Sequence, residues 1–217
     1  MSGMSLLERL DRFNRRHPWS HNDLYGPWAA HKVSAIGARR VLDVGCGTGH
    51  LVDRLRHRVP EMTGLEPDPD TARRARERFA HTPGVTILQR GFDEGVGSGW
   101  DAITLVAVLH HLPLEPTLRA LREALAPKGR LVIVGCHWEE GPADLSLSLI
   151  SALLNPLVGM VRQPRAVTEP PPHMRAPTAA PRESLAEIRA AVRRELPGAR
   201  IRRGLFWRYT LVYDRPA

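Results

Sequence analysis

Between residues 39 and 135 the chain alternates five times between short apolar runs and longer stretches of helical periodicity. RRVLDVG (39–45), MTGLEP (62–67), VTILQ (85–89), WDAITLVAV (100–108) and GRLVIVG (129–135) read as strands. TGHLVDRLRHR (48–58), with Leu51, Val52 and Leu55 on one face, reads as a helix. So do DPDTARRARERFA (68–80), with Asp68 or Asp70 as its N-cap, and EPTLRALREALAP (115–127), with Pro116 in its first turn. Apolar strands joined by helices must lie parallel, with both sheet faces covered. The pattern therefore predicts an α/β chain with a doubly wound sheet.

The flanks depart from this alternation. Residues 4–16 carry Leu6, Leu7, Leu10 and Phe13 at helical spacing, and HPWSHNDLYGPWAAHKV turns into a second short helix. After the fifth strand, ADLSLSLISALLNPLVGMV (143–161) reads as an apolar helix broken at Pro156. The proline-rich residues 162–181 read as an extended, mobile connection. SLAEIRAAVRREL (184–196) reads as an amphipathic helix, and residues 199–214 as two closing strands turning at Gly204. The expected organisation is an N-terminal helical cap (1–36) and one ligand-binding domain (37–217). The latter contains a lid insertion and proline-rich connection (143–181).

Composition excludes several classes. The 42% hydrophobic and 25% charged residues belong to a globular chain, not a disordered one. The net charge of +8 comes from scattered residues, all arginine apart from Lys32 and Lys128. Clusters such as Arg73/Arg74/Arg76/Arg78 and Arg189/Arg193/Arg194 read as solvated helix faces, which disfavours nucleic acid as partner. Two cysteines, Cys46 and Cys136, define neither a disulfide framework nor a zinc cluster, and the histidines lack ligand spacing for a metal. The opening residues lack the apolar core of a signal peptide, and 143–161 is too polar for a good membrane span. The expectation is a soluble cytoplasmic protein.

The chemistry is carried by VLDVGCGTG (41–49). Gly45, Gly47 and Gly49 alternate between a strand and a helix, with Cys46 among them, at the sheet edge where open α/β folds bind ligands. Asp43 precedes the first glycine by two residues, and Glu66 closes the second strand, where an acid accepts hydrogen bonds from ribose hydroxyls. A dinucleotide site needs G-x-G-x-x-G to seat a pyrophosphate, and here the third glycine comes one residue early. Asp43 would also repel a pyrophosphate, whereas it would favour a cationic group. A positively charged nucleoside such as S-adenosylmethionine (SAM) fits better.

Taken together, these motifs resemble a class I SAM-dependent methyltransferase of the small type-11-like group, over residues 39–135. The resemblance implies a Rossmann-like seven-stranded sheet with the last strand, FWRYTLVYD, antiparallel. It further implies Glu66 on the ribose hydroxyls, Pro67 against adenine, and the backbone near Leu105 and Val106 at the methionine part. Lys128 stands where that group usually has glycine. The acid expected after strand three falls at Gly91, so either Asp93 holds the adenine amino group or Phe92 supplies an apolar contact.

Methyl transfer from a sulfonium needs a general base only when the acceptor is protonated. His110 and His111 after strand four and His137 after strand five lie at the ligand-binding edge, with His111 and His137 the stronger candidates; His17 and His21 lie further upstream. Trp19, Tyr25 and Trp28 could form an aromatic lid over the sulfonium or pack the N-terminal helix onto the sheet. The 143–161 helix could cover an apolar or aromatic acceptor, or form a dimer face.

The expected function is SAM-dependent methylation of an oxygen or nitrogen, less readily carbon, of a small acceptor. A SAM-binding protein without turnover of its own, or acting with a partner, and a nicotinamide-dependent oxidoreductase remain as alternatives.

Overall fold

The computed structural model describes residues 5–92, 94–138, 142–167 and 179–217. Five parallel strands, β1 (Arg40–Val44), β2 (Glu61–Leu65), β3 (Val85–Leu88), β4 (Trp100–Val106) and β5 (Leu125–Cys136), form the body of the sheet. β6 (Arg200–Arg203) and β7 (Arg208–Asp214) complete it in the order β3-β2-β1-β4-β5-β7-β6. β7 slots antiparallel between β5 and β6. The order reverses between β1 and β4, and such a switch point opens a crevice at the carboxyl ends of the strands.

Helices cover both faces. On one face α2 (His21–Ser34), α3 (His50–Leu55) and α4 (Pro69–Phe79) bury Ala29, Val33, Val52, Leu55 and Ala75 against Val41, Met62 and Ala102. On the other, α5 (Leu114–Ala124) and α7 (Leu185–Glu195) bury Leu118, Leu121, Ile188 and Val192 against Leu42, Ile103, Leu131 and Leu211. Asp68 caps α4 through a 2.8 Å bond to the Thr71 amide, and Ser184 with Glu187 forms a capping box on α7. β5 begins at Leu125, directly after α5, and passes through Pro127 rather than starting beyond it.

The remaining helices, α1 (Leu6–Arg16) and α6 (Pro142–Arg162), pack on each other. Pro156 sits inside α6 without ending it, contrary to the break expected there. A small polar knot fixes α6: Asn155 Oδ1 accepts from Trp19 Nε1 at 3.0 Å and lies 3.0 Å from His21 Nε2. Below the knot, buried Ser151 Oγ accepts from the Phe206 amide at 2.9 Å. Phe206 and Trp207 both adopt positive φ (56° and 59°) in the β6–β7 turn. That conformation is rare for bulky residues. It sends Phe206 into the core against Trp19 and His21, while Trp207 reaches the crevice. No described helix is long and apolar enough to cross a membrane.

Candidate active site

The crevice is a cavity of about 610 Å³. Its floor is the loop after β1. Cys46 N donates to the Leu65 carbonyl at 2.9 Å, which straps this loop to β2. The three glycines serve different ends. Gly47, at φ 56°, faces open space, so the backbone presents itself bare to the cavity. A side chain at Gly45 would run into Val108, and one at Gly49 into Phe79. Gly49 does not line the cavity and is needed for φ 81° and close packing on α4.

Two acids bracket Gly47. Glu66 Oε2 accepts from the Gly47 amide and Oε1 from the Asp68 amide, each at 3.0 Å, which fixes the carboxylate plane and leaves further lone pairs for a ligand. Asp43 is almost wholly buried and accepts from Thr104 Oγ1 at 2.6 Å, a contact set by the β1–β4 register that pairs these two residues. Burial pushes the Asp43 carboxyl up to about 7; the Thr104 bond opposes this, and the nearby Glu66 charge adds to it. A buried acid with no described cation acting on it is held at a disadvantage that a positively charged ligand would remove. The bare Gly47 backbone, the braced Glu66 and the desolvated Asp43 thus fit a cationic nucleoside.

Pro67 and Phe92 line the same half of the cavity. Asp93 lies outside the described residues, as does 168–178 of the proline-rich connection. Of the pair at the end of β4, Val106 lines the cavity whereas Leu105 points into the core, because successive strand side chains face opposite ways.

The other half is built from the ends of β4, β5 and β7. His110, His111, Cys136, His137, Trp207 and Arg208 line it, with Ser20 and Asn22 of the α2 start. His137 is buried, and its Nδ1 lies 3.1 Å from the Trp138 carbonyl. A carbonyl only accepts, so Nδ1 carries the proton and Nε2 of the neutral ring keeps a lone pair. His110 has a buried, unpartnered Nδ1. Burial, then the neighbouring His111 and Arg208 charges, push its imidazole down to about 4. His111 is exposed.

The aromatic residues of the N-terminal segment do not form a lid. Tyr25 donates its hydroxyl to the Leu205 carbonyl at 2.9 Å, and Trp28 packs on the α2–α4 core. Neither lines the cavity, and Trp19 is buried in the polar knot. His21 belongs to that knot, and His17 Nδ1 contacts the Gln163 carbonyl at 2.7 Å. No described residue of α6 lines the cavity either, so its apolar character carries no information about the acceptor. Its exposed residues, Leu149, Ile150, Leu153, Leu157, Met160 and Val161, face outward instead. Sequence reading overlooked Thr104, Asn22, Trp207 and Arg208. An arginine opening an otherwise apolar strand, as in RYTLVY, was the one available signal.

Fold and site together define a Rossmann-like methyltransferase, and the comparisons agree. The methyltransferase-domain family profile matches residues 42–131. An uncharacterized methyltransferase of Mycobacterium tuberculosis is 32% identical, the alignment covering 92% of this chain and 98% of that protein. The 3-amino-4-hydroxybenzoate 4-O-methyltransferase of Streptomyces cremeus is 36% identical over 45% of this chain and 29% of its own length. Among solved structures, the magnesium protoporphyrin IX methyltransferase of Synechocystis PCC 6803 with bound S-adenosylhomocysteine (SAH) superposes with a TM-score of 0.55. It is 18% identical, covering 99% of this chain and 89% of that one. The chain belongs to the class I SAM-dependent methyltransferases. It is an enzyme, and its cofactor is SAM.

Proposed function

We propose that the protein methylates an oxygen, or with less support a nitrogen, of a small organic acceptor seated beside His110, His111 and His137. The observation that carries this reading is the division of one cavity into an acid-lined half and an imidazole-lined half. When bound, SAM supplies an electrophilic methyl carbon on a sulfonium, whose departure needs no acid. Glu66 would hold the ribose hydroxyls, with Pro67 and Phe92 against the base. Asp43 would balance the positive charge near Gly45 and Gly47, with Val106 closing the same side. His137 is the favoured proton acceptor, because its Nδ1–H is committed to Trp138 and Nε2 is left to take a hydroxyl proton. His110 is too weak a base for that task and would accept a hydrogen bond from the acceptor while staying neutral. The named activity of the Streptomyces relative, an O-methylation, supports oxygen over nitrogen.

We place the reaction in the cytoplasm, on a small molecule rather than nucleic acid, and assign the exposed α6 stripe as the face for a second copy.

Calorimetric titration with SAM and SAH, followed by an acceptor screen for a gain of one methyl group in mass, tests the reading. Glu66→Ala and Asp43→Ala should each weaken SAM binding at least about tenfold. His137→Gln should leave SAH binding intact and lower kcat by about 10²–10⁴-fold. Binding of a nicotinamide cofactor in place of SAM would sink the proposal.

A further inference from the structure

Arg208 opens β7 at the rim of the imidazole-lined half of the cavity. Its guanidinium forms no ion pair with any described residue, unlike those of Arg40, Arg56, Arg119 and Arg130, each of which is paired with a carboxylate. Its side-chain bonds are two long ones, from Nε and Nη2 to Asn22 Oδ1 at 3.4 and 3.3 Å. Asn22 is uncharged, so these bonds orient the fork without neutralising it. Asp23, the next residue of α2, also lines the cavity. The remaining cavity acids, Asp43, Glu66 and Asp68, lie at the ends of β1 and β2.

The charge of Arg208 is felt by its neighbours. Burial lowers the imidazoles of His21 and His110, and the Arg208 charge adds to this; burial raises the Tyr25 hydroxyl and the Cys136 thiol, and the Arg208 charge opposes that. Unpaired guanidinium groups facing a partly desolvated pocket are sites for planar, bidentate anions. Trp207, set beside Arg208 by the strained turn, and Leu112 and Val108 across the cavity supply apolar surface.

We infer that the acceptor is a small aromatic carboxylic acid, its carboxylate taken by Arg208 and its ring lying along Trp207. This rests on the methyltransferase reading above and specifies the acceptor of that same site. The test separates this role from a second one, in which Arg208 partners the cofactor's own amino-acid carboxylate and the charge of the acceptor is irrelevant to it.

The experiment uses the full chain loaded with SAH, itself first titrated, and follows tryptophan fluorescence as benzoate or benzamide is added. Benzoate is a fragment that keeps the carboxylate and ring; benzamide keeps the shape without the charge. Benzoate should saturate and bind at least about tenfold more tightly than benzamide. Arg208→Gln should abolish that preference with SAH binding unchanged, and Arg208→Lys should retain part of it, since the charge survives but the fork does not. Equal binding of the two fragments to the wild-type protein, or no saturable benzoate binding, overturns the inference without reference to any variant. Loss of SAH affinity in Arg208→Gln with the benzoate preference intact also overturns it and assigns Arg208 to the cofactor. Failure of the wild-type protein to bind SAH at all would be seen in the first titration, and would remove the underlying reading rather than the role of Arg208 alone.

Discussion

Asp43 works against the fold that holds it. Its folded value of about 7 lies above the ordinary carboxylate range, so the folded state binds the proton more tightly than the unfolded chain. Stability from this group is therefore complete at acid pH and is lost as pH rises from about 4 through 7, on the order of 4 kcal/mol by pH 8. Asp43→Asn keeps an oxygen for the Thr104 hydroxyl and removes the charge. The ligand-free variant should melt higher than wild type at pH 8, by about 2 kcal/mol after allowing for its new amide donor, and no higher at pH 4. The same variant should lose cofactor affinity. Thermal melts at the two pH values check the first effect and calorimetry the second. Wild-type SAM affinity should rise with pH towards about 7, as Asp43 ionises, and then level off. Lys128 is a simpler case. It sits at φ 64°, in the left-handed region, where glycine carries no steric penalty. Lys128→Gly should stabilise the protein by about 0.5–1 kcal/mol, read as a higher melting temperature with unchanged cofactor binding.

At the level of elements, the imidazole-lined half of the cavity, the proposed acceptor side, adjoins a wedge made by α6, the start of α2 and the β6–β7 turn. Asn155 joins two of these through Trp19 and His21, and Ser151 joins the third through Phe206. Asn155→Ala leaves His21 Nε2 without its partner and should cost about 1–3 kcal/mol. Fragment binding near Arg208 should weaken while SAH binding holds, because Gly47 and Glu66 lie on other elements; parallel loss of both affinities would refute this division. The two halves also differ in how far sequence reveals them. The cofactor half was legible because it is built locally: Asp43, Gly47 and Glu66 belong to one βαβ unit, with fixed spacing. The five parallel strands followed from the alternation of apolar runs and helical stretches, and the antiparallel last strand from the family resemblance; the strand order did not appear until the sheet was seen. The acceptor half is assembled from segments as distant as Asn22 and Arg208, whose meeting depends on the path of β7. That the Leu105 side chain faces the core and that Gly49 packs against Phe79 rather than lining the cavity depend on strand parity and on the bulk of a distant ring, which no motif encodes. Tyr25 and Trp28 were ambiguous because aromatic residues suit lids and cores alike.

Over the whole molecule, cofactor binding should stabilise the fold. At SAH concentrations a hundredfold above Kd the gain is about 2.7 kcal/mol, and the melting temperature should rise by about 5–10 °C. The proposed role of the α6 stripe as a face for a second copy is tested at the same scale. Leu153→Ser with Leu157→Ser should leave the melting temperature nearly unchanged, since both side chains are exposed. It should reduce concentration-dependent association in sedimentation.

The placement of Arg208 bears on ancestry. The family profile spans 42–131, so it contains Asp43, Gly47, Glu66 and the His110–His111 pair but neither Asn22, His137, Trp207 nor Arg208. Selection could therefore exchange acceptors by rewriting residues outside that span, without disturbing the half that holds SAM. Descendants of one ancestor would then share a glycine loop yet diverge in metabolism, and a kept guanidinium at position 208 would mark the lineage that still consumes the same acid.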